Sequence, residues 1–270
     1  MSDINPSQLS FDELRAIFNP EGSALRRAQL RMMEMLLFLD RVCKEHGIRY
    51  WLDSGNLIGA ARNGQFIPWD DDVDVCMLRE DALKFKQVML KDNPSDEFVL
   101  QCRETDSGFF GSWIVLRDLK SEYIQDSNLH RTRKYRGLQV DIFIFESKFF
   151  SPAGKFSILW YKYLIQKPLE RIKSPLFAKM AAWPAYFVLY RLLTPLFRLL
   201  AKDSEFLFPT YGMGFRLRKK DEVFPLSEIE FEGRMIPAPK DTASYLTRVY
   251  GDWARMPETI RTHNVQVIFK

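Results

Sequence analysis

A chain of 270 residues accommodates one large domain, or a core domain with a helical addition. Hydrophobic residues make up 46% of it and charged residues 27%, a balance that excludes an intrinsically disordered chain and predicts a sizeable core. The formal charge of +4 is small for this length, and no basic tail concentrates it, so we expect no nucleic-acid partner.

The cysteines and the start of the chain bear on the cellular compartment. Cys43, Cys76 and Cys102 are odd in number and widely spaced, which argues against a disulfide framework or a structural zinc site and favours a reducing compartment. The first six residues carry neither the basic region nor the apolar run of a secretory signal. We therefore expect a cytoplasmic location.

Predicted helices and strands alternate along the first part of the chain. Ser10 and Glu13 form a capping-box pattern that opens a short helix, and Gly47 ends a longer helix predicted from Ala24 to His46. The pattern then predicts helices at 55–62 and 80–90, and strands at 48–52, 73–77, 98–102, 113–119 and 138–145. This mixture predicts an α/β (α+β) domain over residues 1–150.

Residues 151–205 are predicted to form a helical insertion with a strongly apolar pattern, interrupted at Pro168, Pro175, Pro184 and Pro195. The stretch 183–200 approaches the length of a membrane span, but its two arginines and two prolines argue against one. Aromatic residues interleaved with Lys and Arg fit a helix that lies in a membrane interface, and a packed helical subdomain fits the same pattern. We favour peripheral contact with the inner face of the cytoplasmic membrane.

Residues 206–270 are predicted to complete the core. Two short strands between Glu228 and Pro239 turn at Gly233, and a capped helix runs from Asp241 to Tyr250. These boundaries divide the chain into three parts, 1–150, 151–205 and 206–270.

The acidic run at 70–74, Asp-Asp-Asp-Val-Asp, is the most informative stretch of the sequence. Residues two apart on a strand share a face, so Asp72 and Asp74 are expected side by side, close enough to hold one divalent cation. Four acids in five positions repel each other unless a cation is bound. A solvated acidic loop is the other interpretation, although the apolar neighbours Trp69 and Val75 argue against it.

Two further elements carry candidate residues. Ser54 and Gly55 lead into a predicted helix whose free N–H groups suit phosphate oxygens, and Arg62 could add a charged contact; an ordinary helix cap is the alternative. Asp141 stands in an apolar predicted strand, where an acid is costly unless it is paired or bound to a metal. A carboxylate that is hydrogen-bonded to the backbone is the alternative there.

These motifs together resemble the LicD family, which includes the fukutin-type proteins, within the nucleotidyltransferase superfamily. The resemblance is carried by residues 52–62, 66–74, 137–143, 224–226, 231–233 and 250–253. Asn56 departs from the family pattern, in which Thr or Ser is common at that position. The sequence also lacks the cysteine cluster of some eukaryotic relatives, and we expect it to lack their N-terminal membrane anchor.

The resemblance implies a nucleotidyltransferase-like mixed sheet with a helical insertion, and the transfer of a phospho-alcohol from a CDP-linked donor. Phosphocholine or ribitol phosphate would pass to a hydroxyl of a cell-surface or lipid-linked glycan, such as lipopolysaccharide, teichoic acid or capsule. Asp72 and Asp74 would hold Mg²⁺ or Mn²⁺, and Asp141 would complete the metal site or take the acceptor proton. The residues expected at the substrate's phosphate groups are Ser54, Gly55, Asn56, Arg62 and Trp69.

Two other functions fit part of the pattern. A glycosyltransferase that uses a nucleotide sugar also holds its metal with a D-x-D pair, but it leaves the Gly55 turn and the Asp141 strand unexplained. An inactive relative that binds glycan or lipid is the second alternative, and the presence of all three acids argues against it.

Overall fold

The fold is described by a computed structural model that covers residues 5–92, 94–124, 128–214, 216–260 and 266–270. Its α-helices are α1 (Phe11–Phe18), α2 (Ala24–His46), α3 (Ser54–Asn63), α4 (Arg79–Lys91), α5 (Asn128–Arg131), α6 (Ser151–Trp160), α7 (Lys167–Arg171), α8 (Pro175–Phe187), α9 (Thr194–Leu199), α10 (Lys220–Val223) and α11 (Thr242–Tyr250). Its strands are β1 (Trp51–Leu52), β2 (Val73–Leu78), β3 (Phe98–Gln101), β4 (Ile114–Asp118), β5 (Ser121–Ile124), β6 (Gln139–Phe149), β7 (Lys202–Pro209), β8 (Arg218–Lys219), β9 (Ser227–Phe231), β10 (Arg234–Ala238) and β11 (Gln266–Phe269).

Seven of these strands form one mixed sheet. Five lie in the order β1-β2-β6-β4-β3, while β7 pairs with β6 and β8 pairs with β7. Strands β2 and β6 run parallel, and the other paired strands of this sheet are antiparallel. The mixed sheet and its helices confirm the predicted α/β (α+β) class.

Helix α2 has the bounds that its sequence predicts, because both of its ends are capped locally. The Ser23 side chain accepts a hydrogen bond from the Arg26 amide at the first turn. At the other end Gly47 adopts φ 59°, a left-handed conformation that favours glycine. Between these caps, Met32 and Leu36 are fully buried in the same core as β2 and β6. The helix therefore fixes the sheet from which the acidic side chains project.

The segment 151–199 forms two helical rods with their own hydrophobic cluster, which includes Ile165, Leu169 and Ala182. The first rod runs from α6 to α7 through a π-helical stretch, Tyr161–Gln166, and the second from α8 to α9 through Val188–Leu193. Pro184 lies inside α8, so the interruption predicted there is wrong. None of the helices in the described part of the chain combines the length and apolar character needed to span a membrane.

The last part of the chain packs back onto the sheet core. The predicted hairpin is present as β9 and β10, and Tyr245 and Leu246 of α11 are fully buried in the main hydrophobic cluster. Strand β7 begins at Lys202, within the segment predicted to be helical, and joins β6 in the main sheet. The pairing of β5 with β11 was not predicted. The division of the chain into three parts stays a prediction.

Candidate active site

The acidic residues gather where β2 lies beside β6. Asp74 and Asp141 are directly paired across these parallel strands, and Asp72 immediately precedes β2. Val73 and Val75 are fully buried, whereas Asp74 between them is only partly buried. Because alternate residues of a strand face opposite sides, the valines enter the core while the acids share the other face. The structure thus brings together the three acids singled out from the sequence.

The closest grouping of acidic oxygens involves a different set of residues. Within the described ranges, Asp70, Asp71 and Asp72 can each offer an oxygen such that all three atoms lie within 4.8 Å of one another. Such a spacing fits several carboxylates around one hard cation such as Mg²⁺ or Mn²⁺. Asp72 belongs to both sets and therefore lies at the centre of the acidic cluster.

Electrostatics also favour a bound cation in this cluster. Burial, followed by the charges of Asp72 and Asp71, raises the pKa of Asp70 well above its usual value. Burial, followed by the charges of Asp72 and Asp141, does the same to the pKa of Asp74. Carboxylates held this close are costly to ionise unless a positive charge compensates them. The residues present therefore fit a divalent metal site.

Helix α3 positions the acids through two residues of its first turn. A methyl group at Gly55 would lie 2.5 Å from Oδ2 of Asp70, so only glycine leaves room for that carboxylate. The fully buried Asn56 amide accepts a hydrogen bond from the Asp74 backbone N–H at 2.7 Å and donates to the Asp72 carbonyl at 3.0 Å. The start of α3 thus fixes the backbone on both sides of Val73.

A buried polar network anchors the start of α3 to the C-terminal part of the chain. The Asp53 carboxylate accepts hydrogen bonds from Arg218 at 2.8 Å and from the Tyr245 hydroxyl at 2.9 Å. Burial by itself would raise the pKa of Asp53, but the charge and hydrogen bond of Arg218 hold it below its usual value. Asp53 is therefore an ionised structural residue beneath the acidic cluster, with its charge already compensated.

A cleft of about 220 Å³ opens beside the acids. Asp72 and Asp141 line it together with residues that the sequence analysis did not select: Trp113, Tyr123, His130, Arg133 and Gln139. The Trp113 indole donates to Asp141 at 3.1 Å, and the Gln139 amide donates to it at 2.8 Å. These donors hold the Asp141 carboxylate at the wall of the cleft.

Positive charge adjoins the acids in this cleft. Burial raises the pKa of Asp141, and the nearby charges of Arg117 and Arg133 partly oppose that rise. Arg117 is fully buried behind the site, whereas Arg133 lines the cleft itself. The basic run that precedes β6, residues 131–136, is the signal in the sequence that could have indicated Arg133. A cleft lined by both carboxylates and a guanidinium suits a metal-bound phosphate ester.

His130 lines the same cleft as a neutral side chain. Burial, followed by the charges of Arg117, Arg133 and Arg136, lowers the pKa of His130 to about 4. Its imidazole is therefore uncharged near neutral pH and contributes no positive charge to the cleft.

The residues expected at the substrate's phosphate groups have diverse surroundings. Ser54 adopts φ 53°, and its side chain is hydrogen-bonded to Asp74, which places it at the acidic cluster with Gly55. Arg62 instead donates to the backbone carbonyls of Trp253 and of Arg255. Trp69 packs its ring edge-on against Phe18 at 5.6 Å. Asn56 is engaged with the acidic strand, as described above. Phosphate binding by these five residues stays a prediction.

Comparison with known proteins identifies one matching family and several similar proteins. The family model described as LicD/FKTN/FKRP, nucleotidyltransferase domain, matches residues 47–173. The chain is 27% identical over 268 aligned residues to the lipopolysaccharide cholinephosphotransferase LicD of Haemophilus influenzae, covering 90% of this chain and 96% of that protein. It is 42% identical over 57 residues to the human ribitol 5-phosphate transferase FKRP, covering 21% of this chain and 12% of that protein. The family match includes every acid of the cluster.

Proposed function

This chain belongs to the LicD family, and on that premise we propose that it transfers a phospho-alcohol from a CDP-linked donor to a hydroxyl of a cell-surface glycan. Phosphocholine is the group we favour, because the cholinephosphotransferase LicD of Haemophilus influenzae aligns with 90% of this chain. A lipopolysaccharide, teichoic acid or capsule would supply the acceptor hydroxyl, free or linked to a lipid.

The observation that carries this proposal is the convergence of Asp72, which precedes β2, and Asp141 of β6 on a cleft that Arg133 also lines. Asp72, Asp74 and Asp141 would hold Mg²⁺ or Mn²⁺, which supplies charge neutralisation at the donor pyrophosphate. Arg133 is suited to bind oxygens of the same pyrophosphate, because a guanidinium forms charge-assisted hydrogen bonds with phosphate. Negatively charged residues, through the metal, and a positively charged residue would thus bind the same donor pyrophosphate.

The proposed reaction is a displacement at phosphorus. The acceptor oxygen attacks the phosphorus atom of the phospho-alcohol, a new P–O bond forms, and the bond between that phosphorus and the bridging oxygen breaks. CMP leaves with the electron pair of the broken bond. Asp141, where it does not complete the metal site, would take the proton from the acceptor hydroxyl.

A turnover assay with matched variants tests the proposal. The protein is incubated with Mn²⁺, lipopolysaccharide and either CDP-choline, CDP-ribitol or UDP-glucose, and the released nucleotide is measured. We expect CMP from a CDP-linked donor, and a loss of at least about a hundredfold in Asp72→Asn or Asp74→Asn, because each change removes a carboxylate from the metal site. Asp96→Asn, at an exposed aspartate outside the cluster, is the control and should remain active.

Each contrary result identifies a different alternative. Near-full activity of Asp72→Asn or Asp74→Asn, with circular dichroism showing an intact fold, would contradict the assignment of these acids. Release of UDP but no CMP would favour the nucleotide-sugar glycosyltransferase. Absence of turnover together with no calorimetric binding of Mn²⁺ would favour the inactive glycan-binding or lipid-binding relative.

We also propose that the segment 151–199 rests on the inner face of the cytoplasmic membrane. This segment holds eight lysines and arginines but a single acid, Glu170, while the entire chain has a net charge of only +4. Large apolar side chains on the same segment are strongly exposed, among them Leu176 at 65% and Phe177 at 62%. Exposed apolar residues combined with basic residues suit a surface of anionic lipids.

A further inference from the structure

A second cleft, of about 210 Å³, lies between the sheet and the helical segment. Strand β4 pairs with β6 only as far as Ile142, and β7 pairs with β6 from Phe145 onward. The cleft opens at this gap, where Ile144 of β6 lines it together with residues of α4 and of the helical segment. It is therefore a product of the tertiary fold, in which the helical segment provides one wall.

The charged side chains of this cleft are predominantly basic. Five cationic residues line it, whereas the lining contains one acid, Glu104: the cations are Arg79, Lys86, Arg103, Arg191 and Arg198. Lys86 pairs with Glu104 at 2.7 Å, which leaves the arginines in excess.

The arginines of the cleft are incompletely paired. Arg198 and Arg79 share one carboxylate, Glu146, at 2.6 and 3.7 Å. Arg191 makes no ion pair with any residue that the structure describes. Arg103 lies over the rings of Trp183 and Tyr186, at 4.6 and 5.4 Å from their centroids. Burial lowers the pKa of Arg79 and of Arg103, and the charges of nearby acids only partly oppose that change.

Trp113 connects this basic cleft to the acidic one. Its side chain lines both clefts, and its indole donates to Asp141 in the acidic cleft. A transferase must bring two substrates together at one reacting centre. In the proposed function the carboxylates and their metal bind the donor pyrophosphate. The basic cleft is therefore free to bind the other substrate, the acceptor.

We propose that the basic cleft binds a phosphate group carried by the acceptor, which makes the acceptor a phosphorylated carbohydrate. This inference rests on the proposed function, which assigns the donor to the acidic cleft. Arginines in excess of acids recognise phosphate through charge-assisted hydrogen bonds. Trp113, Tyr186 and Tyr190 supply aromatic faces beside these charges, a lining typical of pockets that hold a ring with polar substituents.

Binding without turnover tests the inference independently of the transfer reaction. Glucose 6-phosphate is titrated into the protein in buffer with EDTA, so that no metal can bring the phosphate to the carboxylates, and glucose is the neutral comparison. We expect glucose 6-phosphate to bind and glucose to bind at least about tenfold more weakly, the usual effect of losing charge-assisted hydrogen bonds. Arg191→Gln should weaken glucose 6-phosphate binding by a similar factor.

The control is Arg171→Gln, which removes an exposed arginine of the same helical segment that lines neither cleft. It should leave the binding of glucose 6-phosphate unchanged. A second variant, Arg79→Gln, should repeat the effect of Arg191→Gln from the α4 side of the cleft.

Equal binding of glucose and glucose 6-phosphate would overturn the inference. So would binding that is insensitive to both cleft variants, or binding that occurs only when Mn²⁺ is added. None of these results depends on CMP release, so failure here is distinguishable from failure of the proposed transfer reaction.

Discussion

At Gly55 the absence of a side chain decides where the Asp70 carboxylate lies. A methyl group there would come within 2.5 Å of Oδ2 and 3.2 Å of Cγ of Asp70. The carboxylate of a short side chain can rotate away from such a contact at little cost to the fold, but it then leaves the acidic cluster. The glycine thus serves the geometry of the acids, which differs from the phosphate contact expected from the sequence.

The variant Gly55→Ala is therefore expected to lose metal affinity while it keeps its fold. Displacement of one acid should weaken Mn²⁺ binding by about tenfold or more, as is common when the support of a metal ligand is altered. Isothermal titration calorimetry with Mn²⁺ measures the affinity, and thermal unfolding in EDTA measures the fold. Gly214→Ala is the control, because a methyl group at Gly214 would meet no atom within 4 Å. Unchanged Mn²⁺ affinity in Gly55→Ala would show that Asp70 does not contribute to the site.

At the scale of elements, the two helical rods of residues 151–199 differ from the sheet core in what they expose. Their buried side chains form a cluster of their own, and their outer sides carry Leu176, Phe177, Met180 and Leu192, each more than half exposed. The lysines and arginines of the same rods are interleaved with these residues. A membrane surface satisfies both features, since apolar side chains enter the lipid boundary while basic ones meet anionic headgroups.

The protein is accordingly expected to float with vesicles that contain phosphatidylglycerol. When the vesicles contain phosphatidylcholine alone, it should stay in the unbound fraction. Flotation should decrease as salt rises, because screening weakens the attraction between basic residues and anionic lipid. The double variant Leu176→Ser/Phe177→Ser should float less than the native protein. Met235→Ser, at a residue of β10 that is 52% exposed, is the matched control. Complete recovery of the native protein in the unbound fraction at low salt would exclude this role for the rods.

Local patterns were sufficient for several elements of the fold and for part of the candidate site. The bounds of α2 follow from Ser23 and Gly47, and the acids of β2 stand out because their neighbours are apolar. The sequence also indicated the strand of Asp141, which proved to be the parallel partner of β2. These features depend on residues close to one another in the chain.

Features that depend on distant contacts were not predicted. Strand β7 exists because β6 offers a free edge beyond Phe145, and β5 pairs with β11 across more than half of the chain. Trp113 and Arg133 become site residues only when β4 and the turn before β6 meet around Asp141. Asn56 suggested a helix cap or a phosphate ligand, but tertiary packing directs its amide to the backbone of the acidic strand. The sequence thus indicated the acids of the candidate site but not most of the residues that line the cleft beside them.

For the whole molecule, the acidic cluster couples stability to pH and to the metal. Burial raises the pKa of Asp70, Asp74 and Asp141, and neighbouring carboxylates raise that of Asp70 and Asp74 further, so the folded protein binds these protons more tightly than the unfolded chain does. In EDTA, the contribution of these acids to the free energy of unfolding is therefore greatest at low pH. This contribution declines as the pH rises from about 3.9, the pKa of an aspartate in the unfolded chain, through the raised pKa values of the folded protein.

A divalent cation should reverse that loss, because it compensates the ionised carboxylates and binds only the folded cluster. At a free Mn²⁺ concentration of about 100 times its Kd, binding would add about 2.7 kcal/mol to the free energy of unfolding. The gain should be larger at about pH 8 than at about pH 5.5, where protons compete with the metal for the same oxygens. Thermal unfolding with Mn²⁺ or EDTA at the two pH values measures the difference, and Asp72→Asn should show little response to Mn²⁺ at either. If Mn²⁺ shifted the Tm of the native protein and of Asp72→Asn equally, the stabilising ion would be bound elsewhere, and the cluster around Asp72 would need another explanation for its density of carboxylates.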